Sequence, residues 1–206
     1  MLEITRTLVH EPFIFEAIDG CRLSYGSNEK MDSLDDNALV IGPVDRAFCE
    51  ARLATQARGE DKFLRTIPVS VWLRAPLRWW VELDTYKVGT ARQSSSLMHR
   101  MARDGELSAD DFTTSTDPAL VVLANTKYYA WLQSGAKRNF TSREWLEFQD
   151  SIGRGFLYTS HWSASYAVLR NIYGQRRHHR MGEWRAFCVW VETLPHSWLI
   201  THRGDK

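Results

Sequence analysis

With 206 residues, 44% of them hydrophobic, the chain is long enough to bury a core as one domain spanning 1–206, and length alone demands no second. Lys and Arg number 26 against 25 Asp and Glu, so no net field draws the chain to nucleic acid or to an anionic membrane, and an anionic ligand has to be gripped locally. Cys21, Cys49 and Cys188 are odd in number and lack Cys-x-x-Cys or zinc-ligand spacing, which argues against a disulfide framework or a metal site and for buried thiols in a reducing cytoplasm.

The opening MLEITRTLVHEPFIF has neither a long apolar core nor a small-residue cleavage site, and no stretch approaches the ~20 apolar residues of a membrane span. The expectation is a soluble, cytoplasmic protein. Nine Trp and seven Tyr exceed what such a core needs. They suit platforms for flat heterocycles and subunit interfaces equally well.

Phe13 to Ile18 is a short apolar run closing at Asp19-Gly20, which reads as a strand entering a turn. Tyr25 to Asp36 is polar and turn-rich, as in a surface loop or mobile segment. Gly42-Pro43 precedes an amphipathic helix expected over Val44 to Ala57, with Phe48, Ala51 and Thr55 on one face. Ile67, Val69, Val71 and Leu73 then alternate with Pro68, Ser70, Trp72 and Arg74, the period of a strand with one buried face whose start Pro68 puts at an edge. Pro76 suits the first turn of a helix running to Asp84, with Leu77, Trp80 and Leu83 facing the core. That unit delivers Glu82 through Ser96 to a helix end and serine-rich loop, where backbone N–H groups can meet a phosphate.

Asp117-Pro118 opens and Gly135 closes another helix, apolar along Leu120, Leu123, Ala124, Tyr128 and Trp131, which reads as a scaffold or subunit contact. Thr141-Ser142-Arg143-Glu144 looks like a capping box ahead of Trp145, Phe148 and Ile152, and Gly153-Arg154-Gly155 breaks that helix. Trp162, Tyr166, Leu169 and Tyr173 fall on one face of a long helix, with Gly174 as its stop. Positive charge then concentrates in Arg176-Arg177-His178-His179-Arg180, where a helix C-terminus favours cations. A last helix starts near Gly182-Glu183-Trp184-Arg185, packs through Trp184, Phe187, Cys188 and Val191, and ends at Leu194-Pro195.

Two of these stretches together resemble the flavin-dependent thymidylate synthases. In that family a strand ends in Lys-Ala-Pro, a short helix follows, then Arg-His-Arg, seven residues and Ser. Here Arg74-Ala75-Pro76, Leu77 to Asp84, Thr85-Tyr86-Lys87, Val88 to Ser94 and Ser95 fall at those places. More than seventy residues on, Leu157-Tyr158-Thr159 and the aromatic Trp162 are similar to a second family segment, whose asparagine and arginine fall at Asn171 and Arg176. The fold so implied is α+β, a central, largely antiparallel sheet flanked by helices.

The resemblance implies C5-methylation of UMP or dUMP, with methylenetetrahydrofolate as carbon donor, FAD as electron carrier and NADPH as reductant. It assigns Gln93, Ser94, Ser95, Ser96, Glu82 and Arg176 to the pyrimidine nucleotide and Thr85, Tyr86, Lys87 and Asn171 to flavin, with no acid–base pair. It also implies a homotetramer with shared active sites. The sequence departs from the family at Thr85, Tyr86, Leu97 and Glu60, the last standing in a place that commonly carries a His-Glu segment meeting flavin or nucleotide. Those departures point to a divergent branch, such as the UMP/dUMP methylases of peptidyl nucleoside antibiotic biosynthesis. A flavin-free, folate-dependent hydroxymethyltransferase and a non-catalytic nucleotide-binding relative remain as alternatives.

Overall fold

The structure, a computed structural model, describes residues 1–35, 39–55, 59–135 and 139–202. Its elements follow in the order β1 (Glu3–Val9), α1 (Pro12–Leu23), β2 (Leu34–Asp35), β3 (Leu39–Val40), α2 (Pro43–Ala54), β4 (Pro68–Pro76), α3 (Leu77–Leu83), β5 (Ala91–Ser94), α4 (Leu97–Asp104), α5 (Pro118–Gln133), α6 (Arg143–Ser151), β6 (Leu157–Ser165), α7 (Tyr166–Arg176), α8 (Gly182–Glu192) and α9 (Trp198–Thr201). A four-stranded antiparallel sheet has the order β1-β4-β6-β5, and β2 and β3 form a separate antiparallel pair. The fold is α+β.

Contacts fall into two compact units, one of residues 1–3, 73–85 and 93–160, the other of 4–72, 86–92 and 161–206. In the first, α4, α5 and α6 gather around Met101, Leu107, Phe112, Ala124, Tyr128, Trp131, Trp145, Phe148 and Phe156. The boundaries of α5 are set as expected, with the Asp117 side chain accepting from the Ala119 N–H and Gly135 at φ +73°. Its inward face is Ala124, Tyr128 and Trp131; Leu120 and Leu123 are exposed. Ser142 caps α6 through the Trp145 N–H, but the third helical position is that tryptophan, so nothing reciprocates and the box is only half made. The N-terminal donors of α3 are met by neighbouring carbonyls, Leu77 N–H to Phe156 at 2.9 Å and Arg78 N–H to Arg154 at 3.1 Å.

The second unit holds α1, α2, α7, α8 and α9, and here several expectations are corrected. Phe13 to Ile18 is helical, because Ile14, Ala17, Ile18 and Cys21 recur at helical spacing over a longer stretch than the apolar run itself. Helix α2 spans Pro43–Ala54 and buries Asp45, Cys49 and Leu53 rather than the Phe48, Ala51 and Thr55 face, while positions 56–57 lie outside the described residues. Of the expected loop, residues 25–35 are tied down: Asn28 Nδ2 donates to the Asp19 carbonyl at 3.0 Å, and the buried Ser33 hydroxyl donates to Asp45 at 2.6 Å. Leu157 to Ser165 is a strand, with helix only from Tyr166, and Gly174 lies inside α7 rather than ending it. α8 buries Trp184, Phe187, Cys188 and Val191 as expected, and α9 follows it.

Burial explains why these helices stay together. Arg170 on α7 is buried, and its guanidinium donates to the carbonyls of Leu53, Leu199, Ile200 and His202. One side chain thus satisfies backbone acceptors at the ends of α2 and α9. All three cysteines are buried thiols. Burial pushes Cys49 up to about 12 and Cys188 up to about 11, and raises Cys21 as well.

Candidate functional site

The expected site residues fall in both units, and each group is built locally. In the first unit, Thr85 follows α3 and turns its hydroxyl back onto the Glu82 carbonyl at 2.7 Å. Gln93 and Ser94 lie on β5, a strand where a loop was expected, and the Ser94 and Ser160 hydroxyls meet at 2.8 Å. Ser95 is exposed, with its N–H donating to the Thr159 carbonyl at 3.0 Å. Ser96 caps α4, its hydroxyl accepting from the His99 N–H at 3.4 Å. This helix was not expected. Its eight residues, LMHRMARD, split evenly between apolar and polar, and they follow a serine run that reads as loop until the serine cap is recognised.

In the second unit, the chain from Tyr86 to Arg92 runs beside α7. Gly89 makes this approach possible: its φ is +75°, and a Cβ there would stand 3.2 Å from Val168 Cγ2. Tyr86 then meets Arg176, the last residue of α7, whose Nε–H donates to the tyrosine oxygen at 2.8 Å. The Arg176 guanidinium lies 4.7 Å from the Trp184 ring centroid, and Tyr86 meets the same indole edge-on at 6.0 Å. The Tyr86 hydroxyl donates to Gln175 Oε1 at 2.9 Å, and Gln175 Nε2 donates to Asn171 Oδ1 at 2.8 Å. Three expected residues, Tyr86, Asn171 and Arg176, are therefore joined, through Gln175, which carried no signal in the sequence. Lys87 is exposed beside them.

An exposed lysine and an arginine braced against an indole suit an anion such as a phosphate. Lys87 and Asn171, an exposed cation and an exposed amide, fit a flavin's pyrophosphate and ring; Thr85 and Tyr86 bring hydroxyls to positions where the resemblance has charged side chains. Among the described residues, no three His, Cys, Asp or Glu side chains stand together as a metal site.

The second unit also contains a cleft of about 580 Å³ between α1 and the 3₁₀ turn Glu60–Thr66. Glu16, Cys21, Tyr25, Glu60, Lys62 and Phe63 are among its lining residues. Glu60, which accepts from the Thr55 hydroxyl at 3.0 Å, thus borders a cavity of ligand size. Gly20, expected in a turn, lies within α1 and lines the cleft too. A glycine within a helix costs about 1 kcal/mol relative to alanine, and a side chain added at Gly20 would project into open space.

No family model matches the sequence, and no curated protein matches it. The fold is nevertheless that of the flavin-dependent thymidylate synthases. Thymidylate synthase X of Helicobacter pylori, crystallised with FAD and dUMP, aligns over 97% of this chain and 96% of its own with a TM-score of 0.61 at 12% identity. The UMP/dUMP methylase PolB of Streptomyces cacaoi, bound with 5-Br dUMP, aligns over 99% and 95% with a TM-score of 0.63 at 14% identity. No described helix is long and apolar enough to cross a membrane.

Proposed function

We propose that this chain is a methylase of the pyrimidine nucleotides UMP and dUMP, acting at C5 with methylenetetrahydrofolate as carbon donor. The observation that carries the reading is the Tyr86–Arg176–Trp184 arrangement, an arginine braced for an anion on a fold whose solved examples bind dUMP and a brominated dUMP. Arg176 takes the nucleotide's phosphate. Gln93, Ser94, Ser95, Ser96 and Glu82 take its sugar and base, the first four offering an amide and three hydroxyls along β5 and the turn after it, and Glu82 a carboxylate on α3. The two groups are assigned to one substrate and not to one chain, because a homotetramer with shared sites draws on more than one subunit. Exposed Val122, Leu123 and Tyr129 on α5 and Leu146 on α6 support such an assembly.

Lys87 and Asn171 hold the flavin in this reading, with Thr85 and Tyr86 alongside, and FAD when bound supplies the electrons, which NADPH restores. What the chain itself does is bind and orient, holding phosphate with guanidinium and ammonium charge and fixing the ring with amides. No cysteine nucleophile serves, since all three thiols are buried and raised well above neutrality. One observation favours a second reading. The replacement of two charged flavin contacts by Thr85 and Tyr86, whose hydroxyls bond within the chain, suits a flavin-free, folate-dependent hydroxymethyltransferase.

Tritium release from 5-tritiated UMP and dUMP separates the readings. Release is expected only with folate, FAD and NADPH all present; release without FAD selects the hydroxymethyl transfer, and none with either nucleotide refutes catalysis at C5. Arg176→Ala is expected to weaken dUMP binding about ten- to a hundred-fold, the loss of a charge-assisted hydrogen bond of about 1.5–3 kcal/mol. Calorimetry on the two proteins checks it, and equal affinities would remove Arg176 from the site.

A further inference from the structure

We infer that Tyr86 is a positioning residue for the nucleotide, which it serves through Arg176, and that Gln175 extends the same ordered chain to Asn171. This role rests on the nucleotide reading and adds a residue function which that reading lacks.

Donor chemistry sets the direction of each bond. A guanidinium only donates, so the tyrosine oxygen, 2.8 Å from Arg176 Nε, must be the acceptor. Its one O–H is then left for Gln175 Oε1 at 2.9 Å. With that oxygen engaged, the Gln175 amide turns its nitrogen to Asn171 Oδ1 at 2.8 Å. Each link fixes the sense of the next. Asn171 Oδ1 thus accepts from Gln175 at the end of the chain, which fixes the sense of its amide.

Packing adds what hydrogen bonds alone do not. The indole of Trp184 is fully buried and lies against the guanidinium, while its edge contact with Tyr86 holds the phenol in place. A freely rotating arginine loses side-chain entropy when it grips an anion; one held at Nε by a hydroxyl and on one face by an indole has lost much of it already. Phenylalanine at position 86 would keep the ring packing and delete the hydrogen bond to Nε.

The test uses the full chain and dUMP, with no flavin present, so that any effect belongs to the nucleotide. Tyr86→Phe is expected to weaken dUMP binding about three- to ten-fold, the scale of one hydrogen bond. The same substitution in an Arg176→Ala background should cause no further loss, because its effect passes through Arg176. The KM for dUMP in tritium release should rise by the factor seen in binding. Unchanged affinity in Tyr86→Phe, or full additivity of the two substitutions, overturns the positioning role while leaving the nucleotide reading intact. If Arg176→Ala also binds dUMP as tightly as the unaltered protein, it is the nucleotide reading itself that fails. Urea titration of each variant separates these outcomes from loss of fold.

Discussion

Asp45→Asn is expected to lower folding stability by about 3–5 kcal/mol, the usual cost of leaving one partner of a buried ion pair without the other. Asp45 and Arg22 are 0% and 2% exposed, and the Arg22 Nε–H donates directly to Asp45 Oδ1. The other carboxylate oxygen accepts from the Ser33 hydroxyl at 2.6 Å, the Ser33 N–H at 2.8 Å and the Asp32 N–H at 3.1 Å. An asparagine amide presents an NH2 in place of one oxygen and removes the charge that compensates the guanidinium. Arg22 has little reserve, since its buried Nη2 has no hydrogen-bond partner. A urea titration checks the prediction, and a loss below about 1 kcal/mol would mean that Arg22 reaches water in the native state.

The same pair gives the variant a pH signature. Burial alone would raise the Asp45 carboxyl, but the Ser33 hydroxyl, Arg22 and the Asp32 and Ser33 N–H groups outweigh it and hold the carboxyl below its ordinary value. A carboxyl depressed in the folded state contributes stability that is full above its unfolded value and is lost as pH falls through the folded one. The unaltered protein should therefore lose part of its stability on the acid side of that range, and Asp45→Asn should lack that part of the slope.

Trp145→Ala should cost a similar amount, about 3–5 kcal/mol, by a different mechanism. The side chain is 1% exposed, and its ring stands 4.9 Å from those of Trp131 and Phe140 and 5.3 Å from Phe148. Truncation leaves a void lined by rings, which cannot close it by changing rotamer. The melting temperature and urea midpoint report the loss; a cost under about 2 kcal/mol would show that α5 and α6 collapse into the space.

The parts of the fold legible in the sequence are those where pattern and punctuation agree. Val69, Val71, Leu73 and Ala75 are buried alternately on β4, and Pro76 hands the strand to α3. Asp117, Pro118 and Gly135 bracket α5 for equally local reasons. Elsewhere the pattern is obscured. β6 buries Ser160, Trp162 and Ala164, an alternation hidden because two of the three are small, so Trp162 with Tyr166 and Leu169 suggested a helical face instead. Phe13 to Ile18 is too short a run to distinguish strand from helix.

The sequence offers candidate residues for the site and says nothing of the contacts among them. Tyr86 and Arg176 are 90 positions apart, and no spacing rule states that one will donate to the other. Gln175 is silent in the sequence, because an exposed glutamine late in a helix is unremarkable until its amide is seen between Tyr86 and Asn171. The cleft between α1 and Glu60–Thr66 takes its walls from two segments far apart in the chain, and no local pattern joins them.

The three cysteines have a practical use that comes from where they lie. All belong to the unit containing α1, α2 and α8, and none to the one built on α4, α5 and α6. Buried thiols held in the protonated form react with an alkylating reagent only when the surrounding structure opens. Timed labelling followed by mass spectrometry therefore works as a clock for one half of the molecule and is blind to the other. Cys21, on the wall of the cleft, would tick slower whenever something occupies that space.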